Sequence, residues 1–318
     1  MQDEDLSKLK LKLREEIAAR LMHVKVAIVG WTPTALDLAA DPAFTTGSAS
    51  LCGIYAEREG EGTATRNLDA LEADCPDIVV IAEDKGKEKL LEAVAKYVPP
   101  TTKLLIGGFG HFDFQDDVFD RIRQESFIPS FANGYPNSLV HIYQCLRSAH
   151  RLDLKGVVAE FGMFKGGTTM LISRFIEEMG ANWKVFGFDT FGGFPPKRSA
   201  LDMYAHPDCV FRDAALVKSM FSGRNVEIIE GDIVATVGCL RDQNLVVSFV
   251  DTDNFTSASA IVDVVKDRTV QGGAIVFDHW TGSNRHLDTI GERIAAKTLA
   301  SDDRYLNLHG TGVFLRVQ

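Results

Sequence analysis

Apolar and polar positions along this chain follow two alternating periods, and their order predicts an α/β protein. Short, near-continuous apolar runs are typical of strands buried on both faces of a parallel sheet. Amphipathic stretches typical of helices separate these runs, and strands that alternate with helices indicate βαβ units. In the first third of the chain, the pattern predicts strands at 23–30, 51–57, 77–83 and 102–108 and helices at 33–40 and 87–97.

The N-terminal stretch 3–22 predicts an amphipathic helix. Its apolar residues recur at spacings of three and four, which places them on one stripe. We interpret this helix as a cover for the first domain. A dimerisation helix is the alternative, but the stripe is short and lacks the flanking charges that match coiled-coil partners. The stripe consists of Leu6, Leu9, Leu13, Ile17 and Leu21.

A second α/β run begins near Lys155. It ends in two short strands around Gly310-Thr311-Gly312, and a glycine-centred turn between short strands indicates a hairpin. We therefore predict an α/β fold with two Rossmann-like domains, 1–108 and 151–318, the second with the sheet and antiparallel hairpin of a class I methyltransferase. The strands predicted in the second domain are 156–162, 184–189, 226–230, 245–251, 273–278, 305–309 and 313–317.

Residues 109–150 interrupt the alternation and form a predicted aromatic-rich connector. Six of the twenty phenylalanines fall between Phe109 and Phe131, and Tyr135 and Tyr143 follow closely. Such a stretch is too apolar for a flexible linker. We expect it to pack between the domains or to cover a pocket.

The composition is that of a globular protein. Of the 318 residues, 45% are hydrophobic and 25% are charged, and the net charge of -10 disfavours binding to a phosphate backbone. No apolar run reaches the ~18 residues that a membrane span needs, and the charged start lacks the apolar stretch of a signal peptide. The five scattered cysteines indicate neither a disulfide framework nor a zinc site. We expect a cytoplasmic protein with no nucleic-acid or membrane partner.

The most informative segment is 160–169, EFGMFKGGTT, which follows a predicted strand and opens a predicted helix. Gly162, Gly166 and Gly167 allow a tight turn and a close approach of a ligand to the backbone. The helix that begins near Thr168 offers unpaired N–H groups. A glycine-rich turn alone is weak evidence, because many strand-to-helix turns need glycine for structural reasons.

Acidic residues follow four further strands of the same predicted sheet. The carboxyl ends of parallel strands meet at one edge, which is where open sheets bind ligands. Asp189 is placed to accept hydrogen bonds from both hydroxyls of a ribose. Any one of these acids could be a solvated loop residue, but together with the glycine-rich loop they indicate a site. They are Asp189, Asp232, Asp251 with Asp253, and Asp278 with its neighbour His279.

From about Ser138 to its end, the chain resembles the macrocin O-methyltransferase family, whose members use S-adenosylmethionine to methylate sugar hydroxyls of natural products. The resemblance implies a class I methyltransferase with this cofactor and a small-molecule acceptor. It does not cover residues 1–130. It rests on the segments EFGMFKGGTT, FGFDTFGGFPP, EGDI, FVDTDNFTSASAIVDVV and QGGAIVFDHW, whose order and spacing agree with the family.

The resemblance also implies roles for cofactor-binding residues. In the family, the first loop holds the methionine part of the cofactor, the acid after the second strand holds the ribose, and the acid of the third strand lies near the adenine. The corresponding residues here are Glu160, Gly162, Gly166 and Thr168 for the loop, Asp189 for the ribose and Asp232 for the adenine.

A divalent metal, usually magnesium, is a further implication of the resemblance. Asp251 and Asp278 match the family's metal-binding acids, and Asp253 matches its proposed general base. The family typically has Asp-Asp-Tyr where this chain has Asp278-His279-Trp280. Magnesium prefers oxygen ligands, so four interpretations of His279 stay open. It is a ligand that favours a softer metal, the metal binds weakly, it is a catalytic base with an unperturbed pKa near ~6.5, or it caps the strand end.

The function that we predict is metal-assisted O-methylation of a small-molecule hydroxyl by a homo-oligomer. One alternative is a bifunctional enzyme whose first domain binds a nucleotide or a nucleotide-sugar. The other is a regulatory protein that holds the cofactor without turnover, and Asp251, Asp253 and Asp278 argue against it because cofactor binding alone does not need them. The stretch 195–210 is either a lid over the acceptor or a plain surface loop.

The first predicted domain departs from a dinucleotide-binding pattern. Such a pattern needs glycine where Thr32 stands, so that the backbone can approach a pyrophosphate, and Pro33 removes an N–H donor. Glu57 lies near the expected ribose-binding position, which keeps a nucleotide hypothesis open. We expect a domain that binds no dinucleotide and that shapes the acceptor site or an oligomer interface.

Overall fold

The chain divides into two compact α/β units, Met1–Phe114 and Gln115–Gln318. The predicted fold class, two Rossmann-like units with a C-terminal antiparallel hairpin, is confirmed. Among the residues described, no helix is both long enough and apolar enough to cross a membrane. The computed structural model describes residues 3–45, 47–57, 65–84, 86–108, 114–281 and 287–318.

The first unit is built on a parallel sheet. Its elements are α1 (Asp3–Ala18), β1 (Val24–Val29), α2 (Pro33–Ala39), β2 (Ala49–Ala56), β3 (Thr65–Asn67), α3 (Ala70–Asp74), β4 (Ile78–Ile81), α4 (Lys87–Val94) and β5 (Lys103–Ile106). The strand order is β3-β2-β1-β4-β5, and every pairing is parallel. Apolar side chains fill both faces of this sheet, which explains the continuous apolar runs of its strands.

Helix α1 covers one face of the first sheet. Its buried residues Leu9, Leu13 and Ile17 share a core with Ile28 of β1. The helix ends at Ala18, earlier than the apolar stripe predicts, because the chain must turn before it enters β1. This packing buries three residues of the stripe, whereas Leu21 lies beyond the helix and is exposed.

The second unit has a seven-stranded sheet. Its elements are α5 (Asp117–Gln124), α6 (Ser138–Arg151), β6 (Val157–Phe161), α7 (Gly167–Glu178), β7 (Lys184–Asp189), α8 (Ala214–Met220), β8 (Val226–Glu230), α9 (Ile233–Thr236), β9 (Leu245–Val250), α10 (Phe255–Arg268), β10 (Thr269–Phe277), α11 (Ile290–Ala300), β11 (Tyr305–Asn307) and β12 (Val313–Arg316). The strand order is β11-β12-β10-β9-β6-β7-β8, and β12 runs antiparallel to both neighbours. The order reverses at β6, and such a switch point opens a crevice at the carboxyl ends of the strands.

The residues predicted as an aromatic-rich connector lie partly outside the described residues, at 109–113. From Gln115 onward, they belong to the second unit and form α5 and α6. Helix α6 packs against β9 and β10, and the ring of Phe119 contacts those of Tyr143 and Phe175. These aromatic residues therefore build a helical layer on the second sheet, and the second unit starts well before the predicted boundary at 151.

Candidate active site

The loop between β6 and α7 is shaped by glycine. Gly162 has φ +91°, and a Cβ at this position would lie 1.9 Å from the carbonyl oxygen of Asp251. Gly166, at φ +82°, precedes α7 and provides no side-chain cap. The first turn of an uncapped helix has N–H groups that a ligand can use. The loop thus places backbone without side chains at the edge of the sheet.

Glu160, near the end of β6, is a fully buried carboxylate. Its Oε2 accepts a hydrogen bond from the hydroxyl of Thr169 in α7. Burial raises the pKa of Glu160 to about 8, against the lowering effect of that hydroxyl. Thr168, its neighbour in α7, forms a 2.7 Å hydroxyl–hydroxyl hydrogen bond with Ser130. Glu160 therefore changes from the neutral acid to the carboxylate near pH 8.

Asp189 and Asp232 lie at the ends of successive strands and have different partners. Asp189 accepts hydrogen bonds from the N–H groups of Phe164 (2.8 Å) and Phe191 (2.7 Å). Burial raises its pKa despite these donors. Asp232 instead caps α9 and forms a 2.5 Å ion pair with Arg198. Asp189 thus links two loops of the edge, whereas Asp232 anchors a helix.

Three aspartates and a histidine meet at the ends of β9 and β10. Nε2 of His279 lies 2.9 Å from Oδ1 of Asp253 and 3.5 Å from Oδ1 of Asp251. The same nitrogen lies 3.6 Å from Oδ2 of Asp278. The two strands are parallel neighbours, so their carboxyl ends bring together residues that are distant in sequence. We call Asp251, Asp253, Asp278 and His279 the acid–histidine cluster.

The charges of this cluster are coupled. Burial raises the pKa of Asp251, and the carboxylate of Asp278 raises it further. Burial also raises the pKa of Asp278. Burial alone would lower the pKa of His279, but its hydrogen bonds with Asp251 and Asp253 raise it to about 12. The carboxylates therefore favour the protonated form of His279, and a metal ion that bound its imidazole would displace that proton.

Asp278 has one satisfied and one unsatisfied oxygen. Its Oδ1 accepts hydrogen bonds from the N–H groups of Asn133 (3.0 Å) and Gly134 (2.9 Å). Its Oδ2 is buried and forms no hydrogen bond with the described residues, and Nε2 of His279 lies 3.6 Å from it. Asp251, Asp278 and His279 each offer a ligand atom within 4.8 Å of the others. Two carboxylates and an imidazole therefore fit a small divalent cation.

A cavity of about 460 Å³ connects the glycine loop with the acid–histidine cluster. Its volume falls in the ~300–1,000 Å³ range of small-molecule sites. Gly162, Asp189 and all four cluster residues line it. A smaller cavity of about 40 Å³ beside Gly162 is lined by Glu160 and Thr168. Among the predicted cofactor residues, Gly166 and Asp232 lie outside both linings.

The stretch 195–210 forms part of the cavity wall, since Pro195, Tyr204 and Cys209 line the cavity. Asp202 fixes its middle by accepting hydrogen bonds from the N–H groups of Ser199 (2.9 Å) and Thr256 (2.8 Å). A plain surface loop would not have these contacts.

Asn254, at the start of α10, holds the same stretch by a second pair of contacts. It accepts from the N–H of Tyr204 at 3.0 Å and donates to its carbonyl at 2.9 Å. Tyr204 is thereby held beside the cavity.

Three contributors to this site were not singled out from the sequence. Phe131 and Asn133 line the cavity; they belong to the predicted aromatic-rich connector, for which covering a pocket was one of the two expectations. Glu292 of α11 is fully buried beneath the cluster, and burial raises its pKa to about 7. An acid within a helical segment carries no sequence signal of its own, and α11 was not predicted.

The sequence profile of the macrocin O-methyltransferase (TylF) family matches residues 129–316, which is more than half of the chain. The chain belongs to this family. It is therefore an S-adenosylmethionine-dependent methyltransferase, and the resemblance inferred from its motifs is confirmed. The matched region begins at Pro129, so it includes the segment that carries Asn133 and Gly134 as well as the whole second sheet.

Solved structures similar to the chain include other methyltransferases. A calicheamicin methyltransferase, CalS11, shares 21% identity over 64% of this chain and 97% of its own, with a TM-score of 0.45. The O-methyltransferase NovP shares 18% identity over 57% of this chain and 79% of its own, with a TM-score of 0.47. A putative caffeoyl-CoA O-methyltransferase from Staphylococcus aureus shares 14% identity over 64% of this chain and 91% of its own, with a TM-score of 0.39. No curated protein sequence matches the chain.

Proposed function

We propose that this methyltransferase transfers a methyl group to a hydroxyl of a small sugar-containing or other natural-product molecule, with the help of a divalent metal ion. The observation that carries the proposal is the single cavity that both the glycine loop and the acid–histidine cluster line. A methyl donor and a hydroxyl acceptor must lie within ~3–3.5 Å of each other to react. One cavity with these two walls meets that requirement.

The cofactor side of the cavity is assigned to residues on β6 and β7. Gly162 leaves room that a Cβ would fill, and Glu160 with Thr168 lines the adjoining small cavity. We assign the methionine part of S-adenosylmethionine to these residues, with its ammonium group on the carboxylate of Glu160. Asp189 is assigned to the ribose hydroxyls. Asp232 is assigned to the adenine side, because it caps α9 directly before Ile233, which lines the cavity.

The acceptor side is assigned to the acid–histidine cluster. Asp251, Asp278 and His279 would hold the metal ion, and the oxygen of Asp278 that lacks a hydrogen bond supports this assignment. Magnesium and manganese are the first candidates, the second being more tolerant of the imidazole. A bound metal would polarise the acceptor hydroxyl and lower its pKa.

Asp253 is the residue that we assign as proton acceptor. Its carboxylate would accept the hydroxyl proton when the acceptor oxygen takes the methyl group, and the cofactor would leave as a neutral thioether. Nε2 of His279 lies 2.9 Å from that carboxylate, which places Asp253 beside the residues assigned to the metal. S-Adenosylmethionine supplies a methyl group activated by its sulfonium charge.

Radiolabelled S-adenosylmethionine and a panel of glycosides, nucleotide-linked sugars and catechols test the proposal. Asp251→Asn and Asp278→Asn should each lower methyl transfer by about 100-fold or more while they still bind S-adenosylhomocysteine in calorimetry. Asp263→Asn is the matched control, because this acid lies on the exposed face of α10 with its side chain 72% accessible. Full activity in chelator would refute metal assistance, and methylation of amines in place of hydroxyls would refute O-methylation.

A further inference from the structure

Glu292 is a buried carboxylate with contacts to two separate loops. Its Oε2 accepts hydrogen bonds from the N–H groups of Thr252 (2.9 Å) and Asp253 (3.0 Å). Its Oε1 accepts a hydrogen bond from the N–H of His279 at 3.0 Å. One side chain on α11 thus joins the backbone after β9 to the backbone after β10.

The backbone that Glu292 holds carries the reactive side chains of the cluster. Asp253 has φ +61°, a left-handed conformation that is uncommon for residues other than glycine. The hydrogen bond from its N–H to Glu292 stabilises that conformation. The backbone N–H of His279 donates to the same carboxylate. Glu292 therefore holds the backbone of both residues that form the 2.9 Å contact between Asp253 and His279.

The position of Glu292 is itself fixed by close packing. A Cβ at the preceding Gly291 would lie 2.4 Å from the carbonyl oxygen of Leu201 and 2.9 Å from the nitrogen of Phe255. Helix α11 therefore lies directly against the wall of the cavity and the start of α10. A carboxylate at this depth is costly unless donors surround it, and the donors it has are the backbone groups of the cluster.

We infer that Glu292 is a positioning residue, which holds the loops of Asp253 and His279 at the separation that the cluster needs. The inference rests on the proposed function for the role of that cluster. A purely structural carboxylate would affect the stability of the fold but not the properties of the cluster, and this difference can be measured.

Glu292→Gln is the decisive variant because it keeps the volume of the side chain. Its amide has one accepting oxygen, so it cannot accept from both loops, and its NH₂ group would face a backbone N–H. Asp116→Asn is the matched control. Asp116 also accepts from two backbone N–H groups, those of Val118 and Phe119, and forms a 2.6 Å ion pair with Arg147, but it does not line the cavity.

The measurements are calorimetry with S-adenosylhomocysteine, thermal unfolding, and manganese(II) binding followed by electron paramagnetic resonance. We expect Glu292→Gln to bind S-adenosylhomocysteine like the wild type and manganese about 10- to 100-fold more weakly. Asp116→Asn should lower the melting temperature and leave manganese affinity unchanged. Glu292→Asp, whose shorter side chain reaches one loop, should also weaken manganese binding.

Three outcomes would overturn or redirect the inference. Equal manganese affinity in Glu292→Gln and Asp116→Asn overturns it. Loss of S-adenosylhomocysteine binding in both Glu292 variants, with Asp116→Asn intact, also overturns it in favour of a structural role. If the wild type binds no manganese, the metal in the proposed function fails instead. In that case, nitrogen-15 spectra of the His279 imidazole are compared between the wild type and Glu292→Gln. We expect the signal of the hydrogen-bonded nitrogen to change, and an unchanged signal overturns the inference.

Discussion

The two units place a strand, a loop and a helix at the switch point of a parallel sheet, but they fill the loop differently. In the first unit, Thr32 caps α2 by accepting the N–H of Ala35 at 3.2 Å, and it donates to the carbonyl of Ala82 at 3.1 Å. A Cβ on Gly30 would lie 2.5 Å from the side chain of Glu83. The protein's own side chains occupy this loop.

In the second unit, the corresponding loop is left open. Gly166 gives α7 no side-chain cap, and Gly162 lines a cavity of about 460 Å³. The loop of the second unit thus leaves space beside its backbone, whereas side chains fill that space in the described part of the first unit. A switch point determines where a site can form, and the side chains of the loop decide whether it does.

The largest effect is expected from glycine substitution in the two loops. Gly162→Ala should weaken S-adenosylhomocysteine binding by at least about 100-fold, equivalent to about 2.7 kcal/mol, because its Cβ would meet backbone at 1.9 Å. Gly30→Ala, at φ +113°, should destabilise the first unit and leave that affinity unchanged. Calorimetry and thermal unfolding measure both. Equal losses of S-adenosylhomocysteine affinity in the two variants would contradict the difference between the two loops.

The next effect concerns pH. Because burial raises the pKa of Glu160 to about 8, binding of the cofactor's ammonium group must remove a proton below that pH. Affinity for S-adenosylhomocysteine should therefore fall about tenfold per unit between pH 8 and pH 6. Glu160→Gln should bind weakly with little pH dependence. Calorimetry across this range tests the sign, and an affinity that rises as pH falls would contradict the assignment.

The same shift predicts a stability effect of defined sign. The unfolded chain releases the proton of Glu160 near the ordinary glutamate pKa, whereas the folded chain retains it up to about pH 8. This group therefore favours the folded state less as pH rises through that window. The melting temperature of Glu160→Gln, relative to that of the wild type at the same pH, should therefore increase from pH 5 to pH 8.

A smaller effect is expected at the acids that follow the second strand of each sheet. Asp189→Asn should cost about 1.5–2 kcal/mol of cofactor binding, or about 10- to 30-fold, through weaker hydrogen bonds to ribose. Glu57→Gln changes an exposed acid of the first unit and should have no effect. A thermal-shift panel with NAD, NADP and nucleotide-sugars extends the test. If one of these compounds raises the melting temperature of the wild type but not that of Glu57→Gln, the result would favour a nucleotide site in the first unit.

The smallest effect is expected from the cap of α2. Thr32→Ala should lower the stability of the first unit by about 1 kcal/mol in urea unfolding, because it leaves the N–H of Ala35 without its side-chain acceptor. Affinity for S-adenosylhomocysteine should not change. A change in that affinity would show that the closed loop of the first unit affects the site of the second.

Strand positions were the most predictable feature of the fold. The predicted bounds of 184–189 and 226–230 agree with β7 and β8, because buried parallel strands are apolar throughout and glycine or polar residues end them. Helices α5, α6 and α11 were not predicted. Helix α6 packs on the second sheet, α5 packs on α7, and α11 packs on α10. The aromatic residues of α5 and α6 suggested a connector rather than a helical layer.

The sequence by itself determined the class of the protein and the edge at which its site lies. Strand-end acids and a glycine loop need no tertiary information, since parallel strands always bring their carboxyl ends to one edge. Only the tertiary structure decided the surroundings of His279, where three carboxylates meet, and the backbone contacts of Glu292 beneath them. Both depend on distances between residues far apart in the chain, and no local pattern encodes those distances.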